Sequence, residues 1–500
     1  MSLNPDECYR AICARDVRYD GRFFICVHTT GIFCRPVCPA RTPKRENVQF
    51  VESAAAALAM GFRACKRCRP EVKAGAAAWG LTDASLRRAL RLINTGALDH
   101  QTVEEFAARL GFGARHLRRL IRASLGVAPN RLALIRRATL ARSLIEGGDL
   151  TMTQIAAASG FSSLRRFNDV IQAEFGASPT TLRAAAGRTP RGSTGETSLI
   201  LGSRGQANWA ELYAFLRART IPGVESASDD VYARVLTLGD RQCGVALSAD
   251  GDQAVRASIS GAAIAQFYEL TALIRRALDL DTDTAAIAKV LRSDAVLRPA
   301  ILPGAELRLP GSWTPFELSV RAILGQQVSV KAARTLAGRI AAQFGERVRM
   351  QGMPAGLSVA FPTAARIAAA EASDFMALGL TRARATTLVR FARAIVNDPG
   401  LLMPSASLEQ AIGRLVALDG IGPWTAHYIA LRALGETDAF PASDLGLRKA
   451  YAALTGHLPS AAELETRSQA WRPWRGYAAQ YLWTYLAHLE LGAKTSDVAA

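Results

Sequence analysis

No apolar run in this 500-residue chain approaches the roughly 20 residues needed to cross a bilayer, so no membrane partner is expected. The opening residues, Met1-Ser2-Leu3-Asn4-Pro5-Asp6-Glu7, lack both the basic and the apolar stretch of a secretory signal, and none is expected. Cysteine is scarce. Only eight occur, seven of them before position 75, and four of those stand at metal-ligand spacing. That usage belongs to a reducing compartment, and bacterial cytoplasm or nucleoid is the expected location. Acidic residues are thin in the front of the chain: residues 1–192 hold 30 Lys and Arg against 15 Asp and Glu, whereas the remainder holds 31 against 28. Most of the net charge of +18 therefore precedes residue 193. Clustered arginines there are the electrostatic footprint of nucleic-acid binding, against the blander alternative of a basic soluble surface.

Apolar residues, by contrast, make up 49% of the chain, enough for several cores and three or four domains. Residues 1–75 alternate turns with short β-like runs such as Phe23-Phe24-Ile25-Cys26-Val27, and the pattern from Leu81 to Ala186 is helical throughout. Gly187-Arg188-Thr189-Pro190-Arg191-Gly192-Ser193-Thr194-Gly195 reads as a polar linker. A helix at Trp209–Arg219 and β-type runs at Val231–Leu236 and Gly244–Leu247 follow, and Ala- and Leu-rich helices dominate from Phe267 onward. The expected fold class is multidomain, mainly α with α+β parts.

Cys34 and Cys38 form a Cys-x3-Cys pair and Cys65 and Cys68 a Cys-x2-Cys pair, a spacing that places four thiolates around one tetrahedral Zn2+. The flanks are basic: Arg35, Arg41, Lys44 and Arg45 beside the first pair, Arg63, Lys66, Arg67 and Arg69 beside the second. Such a site is either a structural brace or, because bound thiolates stay deprotonated, a nucleophile near phosphate.

The helical stretch contains a repeat. Gly111-Phe112 recurs as Gly160-Phe161, and Gly126 and Pro129 recur as Gly176 and Pro179. Thr102 to Glu105 reads as a capping box, with Val103, Phe106, Ala107 and Leu110 as the apolar stripe behind it. In the next helix Leu117, Leu120 and Ile121 are expected inward, with Arg115, Arg118, Arg119 and Arg122 outward. In the second copy Leu164 and Phe167 are expected inward, and Arg165, Arg166 and Asn168 outward. Two helix-turn-helix units of this kind would read successive major-groove segments, with a generic helical bundle as the alternative. The repeat resembles the DNA-binding region of AraC-type regulators. An activator of that type implies promoter DNA and RNA polymerase as partners.

The run Phe23-x4-His28-Thr29-Thr30-Gly31-Ile32-Phe33-Cys34-Arg35-Pro36-x-Cys38, with Arg45-Glu46-Asn47-Val48 and Gly61-Phe62-Arg63-x-Cys65-Lys66-Arg67-Cys68, resembles the N-terminal domain of adaptive-response (Ada) proteins. The resemblance covers residues 5–75 and implies that Cys34 accepts a methyl group from a DNA methylphosphotriester while Cys38, Cys65 and Cys68 complete the zinc site. Removing one negative charge from the thiolate cluster would then strengthen binding to DNA. Ada proteins usually continue into a second methyltransferase carrying a Pro-Cys-His-Arg run, which this sequence lacks; Cys243, on a predicted strand, stands in no such run. Cys8, Cys13 and Cys26 lack metal spacing and read as small core or surface residues.

Leu418-Asp419-Gly420-Ile421-Gly422-Pro423-Trp424 reads as a tight turn between two helices whose amides are suited to a phosphate. Asp444 follows 22 residues past Gly422. Together with Arg308-Leu309-Pro310-Gly311, Arg321-Ala322-Ile323-Leu324-Gly325-Gln326, Val328-Ser329-Val330 and Trp474-Arg475-x-Tyr477-Ala478, these residues resemble AlkA-type 3-methyladenine DNA glycosylases from Thr197 to Leu491. The resemblance implies a TATA-binding-protein-like α+β subdomain and an all-helical helix-hairpin-helix core. It also implies Asp444 as the catalytic carboxylate, with Asp438 competing and a simple helix cap as the bland alternative, and Trp424, Tyr428 and Trp483 around the flipped base. Trp313, Trp471 and Trp474 read as scaffold. With Trp424 where lyase-type relatives carry lysine, an intact abasic site is the expected product. Gln327 occupies the position of a duplex-inserting leucine.

The sequence therefore predicts a zinc domain over 1–78, a double helix-turn-helix over 81–186, a linker over 187–196, an α+β subdomain over 197–282 and a glycosylase core over 283–492, acting as a monomer on DNA. Contacts to DNA are expected from Gly420, Gly422, Gln326 and Gln327, from Arg115, Arg119, Arg165 and Arg166, and from Arg35, Arg45 and Arg67. Two rivals remain at this stage: a regulator whose glycosylase half is inactive, and a glycosylase whose front half is only a zinc-braced tether.

Overall fold

The Asn4 side chain accepts the N–H groups of Asp6 and Glu7 at 3.0 and 3.2 Å and so starts α1 (Pro5–Cys13). The computed structural model describes residues 4–498 apart from 17–18, 21–22, 53, 66, 69, 71–83, 95, 100, 148–149, 186–195, 240, 262–265, 303, 305, 349–355 and 406. The expected linker, apart from its last residue Glu196, which opens a strand, and the boundary between the first two predicted domains lie outside the described residues. The chain divides into two units, Met1–Arg204 with Arg256–Leu273, and Gly205–Val255 with Ile274–Ala500.

In the first unit, β1 (Phe24–Val27) lies between β2 (Ile32–Cys34) and β3 (Val48–Val51), antiparallel to both. Past α2 (Ala54–Ala59), β4 (Arg63–Ala64) adds to β2 in parallel. Seven helices follow: α3 (Ala84–Asn94), α4 (Val103–Arg109), α5 (Ala114–Leu125), α6 (Pro129–Gly147), α7 (Met152–Ala158), α8 (Leu164–Phe175) and α9 (Pro179–Ala185). The repeat is present in atomic detail. Thr102 with Glu105 and Thr151 with Gln154 form matching capping boxes. Gly111 and Gly160 both take φ 75°, where a side chain would be strained. Phe24, Phe33 and Ala64 of the sheet share one apolar cluster with Phe106, Leu117 and Ile121 of the first helix-turn-helix. One expectation fails: Leu164 is 40% exposed rather than inward. It occupies the first helical position after the cap Ser163, whereas the inward stripe of α8 starts at Phe167 and continues at Ile171.

β5 (Glu196–Gly202) ends the first stretch of that unit. The second unit opens with α10 (Trp209–Arg219), then β6 (Glu225–Ser228), β7 (Val231–Leu238) and β8 (Arg241–Ala249), which pair antiparallel in succession. β9 (Ala254–Ser260) and α11 (Phe267–Ala277) run through both units. The helical core comprises α12 (Thr284–Leu291), α13 (Pro315–Leu324), α14 (Val330–Phe344), α15 (Ala364–Ala368), α16 (Ala372–Ala377), α17 (Arg382–Asn397), α18 (Leu408–Val416), α19 (Pro423–Arg432), α20 (Leu445–Thr455), α21 (Ala461–Ser468) and α22 (Arg475–Val498). It is not purely helical. A two-stranded ribbon, β10 (Glu346–Arg347) with β11 (Val359–Ala360), leaves α14 at Gly345, where any side chain would run into the Ala341 and Ala360 carbonyls.

A buried ionic knot fastens this sheet to α13. Arg234 reaches Glu225 at 3.0 Å and Glu317 at 2.7 Å, Arg321 reaches the same two carboxylates at 2.6 and 2.7 Å, and the Tyr232 hydroxyl donates to Glu225 at 2.6 Å. Burial alone would push the Glu317 carboxyl up, but the charges of Arg234 and Arg321 outweigh it and hold the group down at about 2. Among the described residues no helix is long and apolar enough to cross a membrane.

Candidate functional site

The parallel register of β2 and β4 sets Phe33 opposite Ala64, so the residues that follow, Cys34 and Cys65, emerge side by side. Cys65 donates its N–H to the Phe33 carbonyl at 3.0 Å, and Cys38 donates to the Arg35 carbonyl at 3.1 Å, folding the second thiol of the first pair back toward the others. All four sulfurs lie within 4.8 Å of one another, and those of Cys38 and Cys65 are 3.9 Å apart. Tetrahedral zinc with Zn–S bonds of about 2.3 Å sets sulfur–sulfur edges of about 3.8 Å. Four thiols so close compete for one negative charge: hydrogen bonds to Cys38 and Cys68 push Cys34 up, while the bond to Cys34 holds Cys38 down at about 2. A divalent cation relieves that conflict, and the cluster fits one Zn2+ held by four cysteines. Cys65 and Cys68 are buried, whereas Cys34 and Cys38 are partly open.

The basic shell is less uniform than its sequence. Arg35 donates through Nε to Asp20 at 2.7 Å, through a guanidinium N–H to the Cys68 carbonyl at 3.3 Å, and through its backbone to the Cys68 sulfur at 3.4 Å. It braces the cluster. Arg45 pairs with Asp6 at 3.2 Å and lies over the Tyr9 and Phe50 rings. Arg41, Lys44, Arg63 and Arg67 are exposed, and Lys66 and Arg69 lie outside the described residues. On α5, Arg115, Arg118, Arg119 and Arg122 are exposed; Arg118 pairs with Glu104 at 2.5 Å. On α8, Arg165, Arg166 and Asn168 are exposed.

In the second unit α18 and α19 form the hairpin. Gly420 takes φ 84° and sits so close to Thr387 that a Cβ would strike its hydroxyl, while Gly422 caps α19. The Gln326 amide donates to the Gly420 carbonyl at 3.1 Å and to the Thr425 hydroxyl at 3.0 Å, and Arg384 donates to the Gln326 carbonyl at 2.5 Å. That pinned turn holds the exposed Gln327 at φ 55°, a left-handed conformation uncommon outside glycine.

Beside the hairpin lies a cavity of about 1270 Å³ whose walls include Asp444, Trp424, Tyr428 and Trp483. Asp444 caps α20, accepting the Leu447 N–H at 3.0 Å and the Trp483 indole N–H at 3.0 Å on Oδ1, and the Trp424 indole N–H at 2.8 Å on Oδ2. Its partners are neutral donors, which fix its orientation without pairing it to a cation. Trp424 and Tyr428 stack at 5.4 Å, and Trp483 meets Tyr428 edge-on at 6.2 Å. Asp438 is engaged elsewhere: Arg475, itself buried, holds it at 3.0 Å. Trp313, Trp471 and Trp474 are buried, and Trp313 also stands in the wall of the cavity.

Several residues at these sites escaped the sequence reading. Asp20, which fixes Arg35, and His427, whose Nδ1 accepts the Phe440 N–H at 3.2 Å in the loop leading to Asp444, stand in no motif. Behind the aromatic cage, Arg432 lies 5.4 Å from the Trp483 ring and 4.9 Å from the Phe215 ring, held by the Pro310 carbonyl and Gln480. Burial brings it down to about 10.

Family models match in four successive segments: "Metal binding domain of Ada" over residues 7–71, "Helix-turn-helix domain" over 106–185, "AlkA N-terminal domain" over 198–314 and "HhH-GPD superfamily base excision DNA repair protein" over 320–476. A "Probable bifunctional transcriptional activator/DNA repair enzyme AlkA" of Mycobacterium tuberculosis is 40% identical over 486 residues, covering 97% of each chain. The chain belongs to this bifunctional family. "DNA-3-methyladenine glycosylase 2" of Escherichia coli is 32% identical over 277 residues, 55% of this chain and 93% of that protein. A solved "3-methyladenine dna-glycosylase from Archaeoglobus fulgidus" matches in fold with a TM-score of 0.52 at 24% identity, over 58% of this chain and 99% of that one. Like its family, the chain joins methyl-acceptor, helix-turn-helix and glycosylase domains, and DNA is its partner. The arrangement gives no support to an inactive glycosylase half.

Proposed function

We propose that the protein takes methyl groups from DNA methylphosphotriesters onto Cys34, activates transcription through its helix-turn-helix pair together with RNA polymerase, and excises 3-methyladenine- and 7-methylguanine-type bases as a monofunctional, monomeric glycosylase. The observation that carries the reading is the Asp444 carboxylate, held by three neutral N–H donors at the wall of an indole-lined cavity. Alkylation at a ring nitrogen leaves the base cationic and a better leaving group. Flipped into the cavity, it lies against Trp424, Tyr428 and Trp483 by cation–π attraction. As the glycosidic bond breaks, the electron pair leaves with the base, and positive charge grows on the sugar beside Asp444, which stabilises it until water adds. Gly420, Gly422 and Gln327 hold the duplex around the lesion, with Gln326 pinning the turn that presents them.

At the other end of the chain, bound zinc supplies a charge that keeps the sulfurs as thiolates at neutral pH. Cys34, on the open side of the cluster, attacks the methyl carbon: a sulfur–carbon bond forms, the carbon–oxygen bond breaks, and the phosphodiester leaves as an anion. Arg67 and Arg45 face the backbone while Arg35 supports the cluster from behind. Arg115, Arg119, Arg165 and Arg166 carry the operator contacts. Segments 1–78, 81–186, 197–282 and 283–492 are the working domains of this reading, with 187–196 as linker.

Duplex DNA treated with a methylating agent tests both activities together. Release of free 3-methyladenine and a single methyl adduct on Cys34 by peptide mass spectrometry are the expected results. Absence of released base sinks the glycosylase half, and an unmodified Cys34 sinks the acceptor half.

A further inference from the structure

The two helix-turn-helix copies share a backbone but not a reading surface. Gly113 caps α5 and Ser163 caps α8, so the helices align cap to cap at a spacing of 50 residues. Inward positions then coincide: Leu117 matches Phe167 and Ile121 matches Ile171, all buried. Outward positions do not. α5 presents Arg115, His116, Arg118, Arg119 and Arg122, whereas α8 presents Arg165, Arg166, Asn168, Asp169 and Gln172 at the same places, and Leu164 is exposed where Ala114 packs against the core. Three guanidinium groups have been exchanged for side chains of other chemistry, and a 40% exposed leucine stands at the first helical position. The N-terminal residues of a recognition helix are those that meet base edges in the major groove.

Each of these side chains has its own partner there. A guanidinium suits guanine O6 and N7, and the amide of Asn or Gln suits adenine N6 and N7. An apolar side chain suits the 5-methyl group of thymine. Solvent exposure of Leu164 costs free energy in the unbound protein, and a thymine methyl would cover it beside the phosphate-seeking Arg165 and Arg166. We propose that the chain reads an asymmetric operator: α5 takes a guanine-bearing half-site, and α8 takes an A·T-bearing half-site, about one helical turn away, through the thymine methyl at Leu164 and adenine at Asn168. This rests on the reading of the repeat as a DNA-binding pair and adds which bases the second copy selects.

The test uses the full zinc-loaded chain and duplexes selected by it from a random pool. Each thymine is replaced in turn by deoxyuridine, which deletes only the methyl group. In one half-site a replacement should weaken binding about fourfold, the value of one buried methyl-sized group. The Leu164→Ala protein should bind the thymine and uracil duplexes alike. Exposure of Leu164 makes this substitution safe for folding, and the uridine scan on the unaltered protein needs no variant at all. A scan in which no methyl matters, or a thymine preference that persists in Leu164→Ala, overturns the assignment of α8. Selection that yields no bound duplex overturns the regulator reading and this inference with it.

Discussion

Asp444 is a helix cap and a catalytic candidate in one side chain, and the two roles fall on different oxygens. Oδ1 takes the Leu447 N–H that starts α20, and Oδ2 takes the Trp424 indole N–H at the cavity wall. An asparagine in its place would keep the capping oxygen, since Asn and Asp cap equally well, but would turn a neutral amide toward the reacting sugar. Asp444→Asn should therefore keep the α20 cap but set its amide N–H against the Trp424 indole N–H, at a cost of about 1–3 kcal/mol in denaturant titrations, and lose base release by a factor on the order of 10² to 10³, measured as single-turnover excision. Cys34→Ser should abolish methyl uptake while the three remaining thiolates still retain metal, read by metal analysis and mass spectrometry side by side. Equal uptake in that variant would move the acceptor to another thiol of the cluster, Cys38 being the other partly exposed cysteine. The sequence left Asp438 and Asp444 in competition. What separates them is Arg475, 37 residues further on, whose ion pair engages Asp438. A long-range pairing of that kind leaves no mark in local spacing. The same is true of Asp20, which engages Arg35 from 15 residues away.

At the scale of elements, more was legible. The capping box at Thr102, the positive-φ glycines between paired helices and the limits of α10 stand where the residues predict them, and the structure adds a matching box at Thr151. The ribbon of β10 and β11 was invisible because each strand has two residues, too few for any alternation to register. Leu164 was misassigned because a helical stripe was extended one turn too far toward the cap. The loop between α19 and α20 shows a further device that sequence could not reveal. Gly476 of α22 donates to the Thr437 carbonyl at 2.8 Å, and His427 of α19 accepts from Phe440 at 3.2 Å, so both flanking helices clamp the segment that delivers Asp444. Burial holds the His427 imidazole below its ordinary 6.5; Arg475 pushes the same way, and Glu465 and Asp438 oppose. The folded state thus favours the neutral ring. Below pH 6.5 the unfolded chain takes up this proton first, so the contribution is complete above that pH and is lost as pH falls through the lower folded value. In His427→Asn the amide oxygen can still accept from Phe440 but cannot titrate. Its stability should fall less steeply below pH 6.5 than that of the unaltered protein, the difference staying under about 1.4 kcal/mol per pH unit, the limit for one proton. Parallel slopes in denaturant titrations across that range would remove His427 from this role.

At the scale of the whole molecule, each unit carries its own apolar cores. One cluster in the first runs from Phe24 and Phe33 of the zinc-site sheet into Phe106, Leu117 and Ile121 of the first helix-turn-helix, while those of the second run through α13, α17 and α19 and through α20 and α22. The zinc-site sheet and the first helix-turn-helix are thus parts of one packed body. Among the described residues the four cysteines are also the one cluster with metal-ligand geometry. Removing Zn2+ leaves four sulfurs in mutual conflict at the end of β2 and β4, whose neighbour Phe33 is fully buried in that shared core. Structural zinc contributes on the order of 10 kcal/mol in zinc-finger peptides, so its loss here should loosen the sheet and the helices packed on it together. A strong chelator should therefore abolish methyl uptake and weaken promoter binding by at least about tenfold. Excision of 3-methyladenine, here assigned to Asp444 and a cavity lined wholly by residues of the second unit, should continue at an essentially unchanged rate. Fluorescence-anisotropy binding and base release, measured on the same chelated sample, separate the outcomes. Promoter affinity that survives complete zinc loss would mean that the helix-turn-helix pair holds its shape without the sheet, and that the shared apolar cluster does not bind the two into one cooperative body.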